Sequence, residues 1–329
     1  MKKSLFMIVC SMVMLSSCSS VKFAIMSGDE NLQALTKVTD KDSPCITPFG
    51  GDDGKDLYFA VQEKGMYYNI YKKDNPFAAA ISQKTSGKNR NYSPAYCAAN
   101  DKIVFRCQNE GSITSDIYIM PNTKGKALTQ VTESSDAFEN NPCFSKDGKF
   151  VVYDKQTYKV KVASTTTLGA LIGLRSASYT IYENSEIWLK NLETGETILL
   201  GNGYQPNFSP DGKSIAYVKY SSSTNCCNIW TMTTDGENQV QITDAKKGFA
   251  MYPRWSPDGT QIVFQSTKKD KKDADIYIVD VDGNNLTQVT VNKSHDGTPY
   301  WTTDGYIYFV SDRGDKKGHY QIWRFRMEY

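Results

Sequence analysis

Histidine is scarce in this chain: among 329 residues only His295 and His319 occur. Chemistry built on several imidazoles, as acids, bases or metal ligands, has little to draw on. An excess of charge of one sign is missing too. Lysine and arginine number 38 against 36 acids, and two of those cations, Lys2 and Lys3, sit at the very start. The remainder is close to neutral, which argues against a nucleic-acid binder held by bulk electrostatics. There is no C-x-x-C pair for zinc and no glycine-rich phosphate loop. Asp280-Val281-Asp282-Gly283 lacks the later ligands and the glutamate of a calcium loop. His295-Asp296 could pair as a base and its orienter, but no motif ties a nucleophile to them. The sequence therefore assigns no catalytic residue, no metal and no cofactor.

The apolar run that does exist is short and stands at the front. MKKSLFMIVCSMVMLSSC has a basic start, an apolar core from Leu5 to Leu15 and the ending Leu15-Ser16-Ser17-Cys18. Such a core is too short to span a bilayer and reads as a secretory signal. The Leu-Ser-Ser-Cys ending resembles the bacterial lipoprotein box. That resemblance implies a signal peptide over 1–17, a lipidated Cys18 and a tether over 18–31. Acyl chains on Cys18 would hold the protein to a membrane. The residues after Cys18 are not acidic, which by resemblance to known sorting patterns favours the periplasmic face of the outer membrane over the cell surface.

What the rest of the chain has in plenty is repetition. Pro206-Asn207-Phe208-Ser209-Pro210-Asp211-Gly212 recurs at Pro253 to Gly259, and in weaker form at Pro142 to Gly148 and Pro299 to Gly305, with degenerate copies beginning at Pro44 and Pro94. Each is followed by an apolar–aromatic run: LYFAV, IVFRC, FVVYD, IAYVK, IVFQS, IYFVS. A third element follows: NIYKK, DIYIM, EIWLK, NIWTM, DIYIV, QIWRF. The fourth is typified by LTQVT. Pro-Asp-Gly combines a preset φ, a local side-chain hydrogen bond and a φ > 0 position, so it turns the first strand tightly into the second. Four short antiparallel strands in a unit of this length predict one blade of a β-propeller.

The units do not divide evenly. The sixth stops at Tyr329 without a fourth strand, while ALTKVT, at 34 to 39, has no unit in front of it. The spacing predicts an all-β, six-bladed propeller over 32–329, with residues 34–39 supplying the missing strand and closing the ring. Such pairing leaves no blade edge exposed between the chain ends.

The Ser-Pro-Asp-Gly turn and the Asp-Ile-Tyr/Trp strand resemble the TolB-like propeller family, over the whole of 32–329. The same blades occur in prolyl oligopeptidase-type enzymes, but the nucleophile elbow G-x-S-x-G of their peptidase domain is not in this sequence. The resemblance implies a non-catalytic, monomeric scaffold that binds a protein partner in the bacterial envelope. The alternative is a glycan-binding or polysaccharide-processing propeller with its site at the channel mouth.

Loops between second and third strands share a face with the loops between blades, and the ligand face is expected there. Pro142 and Pro206 stand 64 residues apart, where other neighbours are 46 to 50 apart. The excess contains Leu168, Leu171, Ile172, Leu174 and Arg175. It reads either as a partner-contact loop or as an extended hairpin over the ring mouth. Lys268, Lys271 and Arg313 put basic charge on the same face, interleaved with acids, as a solvated polar rim or an anion site. Tyr252, Tyr300 and His295 complete the expected face, the tyrosines as stacking platforms for a sugar. Six cysteines remain beyond the leader, and their pairing cannot be read from sequence. Cys45 and Cys143 align at one first-strand position and Cys97 replaces a serine, so they read as small buried residues. Cys226-Cys227 reads as two free thiols, with a vicinal disulfide as the alternative.

Overall fold

The computed structural model describes residues 32–51, 55–123, 127–162, 178–245, 248–268, 273–314 and 316–327. Among these residues every regular element is a strand. The short β1 (Thr36–Lys37) comes first. It is followed by β2 (Cys45–Gly50), β3 (Leu57–Gln62), β4 (Tyr68–Lys73) and β5 (Ser82–Gln83). The second unit is β6 (Arg90–Cys97), β7 (Lys102–Gln108), β8 (Asp116–Pro121) and β9 (Thr129–Gln130). The third is β10 (Ala137–Phe144), β11 (Phe150–Val162), β12 (Ser178–Asn191) and β13 (Thr197–Asn202). The fourth is β14 (Tyr204–Phe208), β15 (Ser214–Ser221), β16 (Cys226–Thr233) and β17 (Val240–Gln241). Then come β18 (Gly248–Trp255), β19 (Gln261–Lys268), β20 (Ala274–Asp280) and β21 (Thr287–Gln288). The chain finishes with β22 (Asp296–Trp301), β23 (Tyr306–Ser311) and β24 (Gln321–Arg326). Successive strands within each unit pair antiparallel, and the first strands pack against one another in sequence, with β22 touching β2. This is an all-β propeller.

Burial explains why the second strands lack the usual alternation. Leu57, Tyr58, Phe59 and Ala60 of β3 are all fully buried, as are Ile103, Val104 and Phe105 of β7. A strand sandwiched between neighbouring units is apolar on both faces. The third strands each place one isoleucine inside: Ile70, Ile117, Ile187, Ile229, Ile276 and Ile322 are all 0% exposed. Each such burial is worth about 1.5–3 kcal/mol relative to exposure.

The fourth-strand threonine has a defined task. The backbone N–H of the buried isoleucine donates to Thr85 Oγ1 at 2.8 Å, and to Thr132, Thr243 and Thr290 Oγ1 at 2.9 Å. Thr39, at the end of ALTKVT, accepts from Ile322 N at 2.9 Å in the same way. Its hydroxyl donates to Gln321 Oε1 at 2.7 Å, as Thr85 donates to Asn69 and Thr243 to Asn228. Val38 N then donates to Ile322 O at 2.7 Å, matching Lys84 to Ile70 and Val131 to Ile117 at 2.8 Å. Thr36 and Lys37 pair antiparallel with Arg324 and Trp323. The first strand of the chain thus makes to the last one the bonds that fourth strands make elsewhere.

Two sequence readings need correction. The landmark of the first unit is Pro48, not Pro44. The first strands carry a register shift at Ile46/Phe49, Tyr92/Ala95, Asn140/Cys143, Tyr204/Asn207, Met251/Arg254 and Gly297/Tyr300. Each shift spans a residue with positive φ and the proline after it, and in the first unit these are Thr47 and Pro48. The spacing is hard to see in this unit because Asp52-Asp53-Gly54, and not a Ser-Pro-Asp-Gly turn, follows its proline. Consequently Cys45 and Cys143 are not equivalent: Cys45 precedes its proline and Cys143 follows its own. All six described cysteines are buried thiols, Cys226 and Cys227 included.

Candidate functional site: the axial cavity

The repeated bulge builds the channel lining. Thr47, Ser93, Asn141, Gln205, Tyr252 and Thr298 each hold φ between 44 and 55°, a conformation uncommon for non-glycine residues. The first five are tied in one chain of hydrogen bonds, and Thr298 is held separately. Ser93 N donates to Thr47 Oγ1 (3.3 Å) and Ser93 Oγ to Asn141 Oδ1 (3.4 Å). Asn141 Nδ2 and Gln205 N both donate to Asp154 Oδ1, at 2.8 and 2.9 Å. Tyr252 N donates to Gln205 Oε1 (2.7 Å) and Thr298 N to Gln265 Oε1 (2.9 Å). Burial raises the Asp154 carboxyl above its ordinary range, and the bonds from Asn141 and Gln205 oppose that. At this level, the waist, a small space of about 20 Å³ is bounded by Pro48, Pro94, Asn141, Tyr252, Arg254 and Pro299 among others. That is room for about one water.

Toward the Pro-Asp-Gly turns lies a cavity of about 370 Å³. The residue after each landmark proline is where the repeat diversifies, and five of these six positions line the cavity: Phe49, Cys143, Asn207, Arg254 and Tyr300. Tyr96, Phe144, Phe208, Trp255 and Trp301, one position on, add aromatic walls. In the first unit this next position is Gly50. A Cβ there would lie 2.5 Å from Thr302 Cγ2 and 2.9 Å from Tyr300 Cε1, so glycine is what lets β22 approach β2. Tyr300 instead packs on Phe49, ring centroids 4.4 Å apart. The rim is made of turns in which Ser145, Ser209 and Ser256 Oγ donate to Asp147, Asp211 and Asp258 at 2.6 Å.

Arg254 is the half-buried charge set into this wall. Its Nη1 donates to Pro253 O at 3.0 Å, while its Nε is buried with no hydrogen-bond partner among the described residues. The guanidinium pKa is lowered by burial; the groups that oppose this are Cys143, Tyr300 and Tyr252, none of them a carboxylate. A guanidinium with a buried, unpartnered Nε is costly unless something anionic meets it. Asn207 Nδ2 beside it donates to Cys143 Sγ at 3.2 Å, and Trp255 Nε1 to Asn207 O at 3.1 Å. The arrangement can hold an anion with an apolar body. Among the described residues no group of three His, Cys, Asp or Glu side chains is placed to hold a metal ion.

The expected site residues fall in several places. Tyr252 lies at the waist and Tyr300 in the cavity wall. Both therefore belong to the axis, but the cavity opens at the turn end, opposite the face expected from the loops. Arg313 is turned inward: Nη2 sits 2.6 Å from Asp296 Oδ2, and its side chain is only 10% exposed. His295 donates its backbone N–H to Asp312 Oδ1 at 2.9 Å and meets the Tyr320 ring edge-on. Lys268 ends β19, and Lys317 on the neighbouring loop pairs with Asp273 at 3.3 Å. The base of the third-unit insertion is a hairpin that pairs as far as Val162 with Ser178. Cys18, Leu168, Leu171, Ile172, Leu174, Arg175 and Lys271 lie outside the described residues. The sequence reading missed Arg254 although Pro253-Arg254-Trp255 belongs to the repeat itself. The signal was there: a cation at a position that is otherwise Phe, Ala, Cys, Asn or Tyr.

The fold is a propeller with a cavity on its axis. More particularly, it is TolB-like: residues 203–329 match the TolB beta propeller domain family. Among solved structures, the chain is similar to a putative TolB from Agrobacterium tumefaciens, at 19% identity over 89% of this chain and 93% of that one, with a TM-score of 0.59. It is also similar to TolB from Acinetobacter baumannii, at 16% identity over 84% of this chain and 65% of that one, TM-score 0.57. An oligogalacturonate lyase from Vibrio parahaemolyticus has the same fold, at 14% identity over 93% and 97% of the two chains, TM-score 0.56. No curated protein matches the chain.

Proposed function

We propose that this protein is a six-bladed propeller, closed by β1 against β24, which binds a protein partner and does not transform it. It works as an envelope scaffold on a lipid anchor at Cys18, after removal of residues 1–17, with 18–31 as tether and the periplasmic face of the outer membrane as its place. Closure is supported by the Thr39 clip and by the contact of β22 with β2. The binding role rests on one observation: an axial cavity with aromatic walls and a guanidinium whose buried Nε has no partner but, among the described residues, no paired acid and base lining it. Cavities of this kind hold and orient a ligand. The similarity to TolB proteins supports a protein as that ligand.

The test is cross-linked capture from the native envelope with three baits: the wild-type lipoprotein, Arg254→Gln, and a chain lacking residues 165–178. One partner held by the wild type is expected. Its loss with the deletion would put the contact on the third-unit insertion, and its loss with Arg254→Gln would put it at the axis. Failure of the wild type to enrich any protein over an unrelated lipoprotein would reject the scaffold reading.

A second reading is a glycan binder in the same cavity, supported by Tyr300, Trp255 and Trp301 in its wall and by the fold shared with oligogalacturonate lyase. It expects retention on a polysaccharide array that Tyr252→Ala and Tyr300→Ala abolish. Unchanged retention would remove those residues from the account.

A further inference from the structure

The charge in the cavity wall is half-buried and has open space on two sides. Arg254 lines both the wide cavity and the narrow waist. On the waist side the space is about 20 Å³, room for about one water. A ligand entering from the Pro-Asp-Gly end meets Arg254 in the wall of the wide cavity. What arrives there has to satisfy a guanidinium whose Nε is buried and unpartnered among the described residues. A carboxylate does this best, because its two oxygens match the fork of guanidinium donors. The carboxylates nearest the mouth do not compete. Asp147, Asp211 and Asp258 are each held by the serine of their own turn, at 2.6 Å, and none of them lines the cavity. Lys146, exposed at the rim, adds a second positive charge along the approach.

The walls fix the rest of the ligand. Phe49, Phe144, Phe208, Trp255 and Tyr300 surround the space, so the group next to the carboxylate must be apolar or aromatic. About 370 Å³ lies at the lower end of ligand-pocket sizes, enough for one chain end and not for a folded loop. From this geometry we propose that the axial cavity is a receptor for the free C-terminal carboxylate of a partner polypeptide, with Arg254 gripping the carboxylate and the aromatic walls taking an apolar last side chain. This deepens the scaffold reading above and rests on it.

The experiment uses the processed full chain and tryptophan fluorescence, since Trp255 and Trp301 line the cavity. The probes are pentapeptides ending in Phe or Leu, each made as the free acid and as the C-terminal amide, with trigalacturonate as a carboxylate-bearing glycan. The free acids are expected to change the emission saturably, and amidation to weaken them by about tenfold or more, the loss of one charge-assisted pair. Arg254→Gln is expected to level acid and amide. Its fold is checked by its melting curve, and the acid–amide comparison on the wild type stands even if that variant does not fold. Equal binding of acid and amide, or no binding of either, overturns the proposal. In that case a partner still captured from the envelope by Arg254→Gln leaves the scaffold reading intact at another surface. Binding of trigalacturonate alone, with no partner captured, overturns both.

Discussion

The fourth-strand threonines and the residues after the landmark prolines occupy repeated positions, but they differ in what repetition has done to them. Thr39, Thr85, Thr132, Thr243 and Thr290 are the same residue making the same bond, whether the strand comes from the middle of the chain or from its far end. The positions after proline read Phe49, Ala95, Cys143, Asn207, Arg254 and Tyr300, no two alike. Sameness marks a bond that five of the six units use in folding. Difference at the axis marks where the units together face a ligand. The polar groups of the clip are mutually satisfied, whereas Nε of the guanidinium at the axis is not.

The comparison can be broken most severely at the closing strand. Removing residues 34–39 strips β24 of its outer partner and leaves Ile322 N without its threonine. A loss on the order of 4 kcal/mol or more is expected in chemical denaturation, together with self-association through the bared edge on sizing chromatography. A truncated chain as stable and monomeric as the full one would show that β1 does not close anything.

Smaller, and more discriminating, is Thr→Val at the clips. Thr39→Val and Thr132→Val each leave a buried isoleucine N–H short of its acceptor, at a cost of about 1–3 kcal/mol. The two losses should match. A much weaker effect at Thr39 would mean that the closing strand only imitates the others in sequence.

Most of the fold is legible in the sequence. The turn, the buried second strand and the displaced ALTKVT each carry a local pattern, and local patterns survive in sequence. The first-unit landmark is easily misread because Pro44 and Pro48 are both prolines near the strand, and only the pairing at Ile46/Phe49 distinguishes them. The site is less legible. Its lining is one residue from each of several units, so no contiguous motif announces it. Arg313 reads as surface charge because Asp296, its partner, stands 17 positions earlier. Arg254 lacks the opposite clue, since being without a carboxylate partner is a property of the folded neighbourhood alone.

The mildest expected effect concerns the turns at the rim. The Ser209 hydroxyl and the Lys213 N–H hold the Asp211 carboxyl below its ordinary range. A depressed folded value means that this turn's contribution is present above the unfolded aspartate value and is lost as pH falls through the lower folded one. In Ser209→Ala the Asp211 titration, followed by carboxyl NMR, should move upward toward the ordinary range. A titration that stays in place would assign the depression to the Lys213 N–H instead.

The most direct test of the central contrast is equilibrium denaturation of Arg254→Met alongside Thr132→Val. If the axial guanidinium serves a ligand and not the fold, replacing it with an apolar chain of similar length leaves stability unchanged or raises it by about 1 kcal/mol, while Thr132→Val loses stability. If Arg254→Met is destabilised as much as Thr132→Val, the arginine is part of the scaffold and the axial site loses its main support.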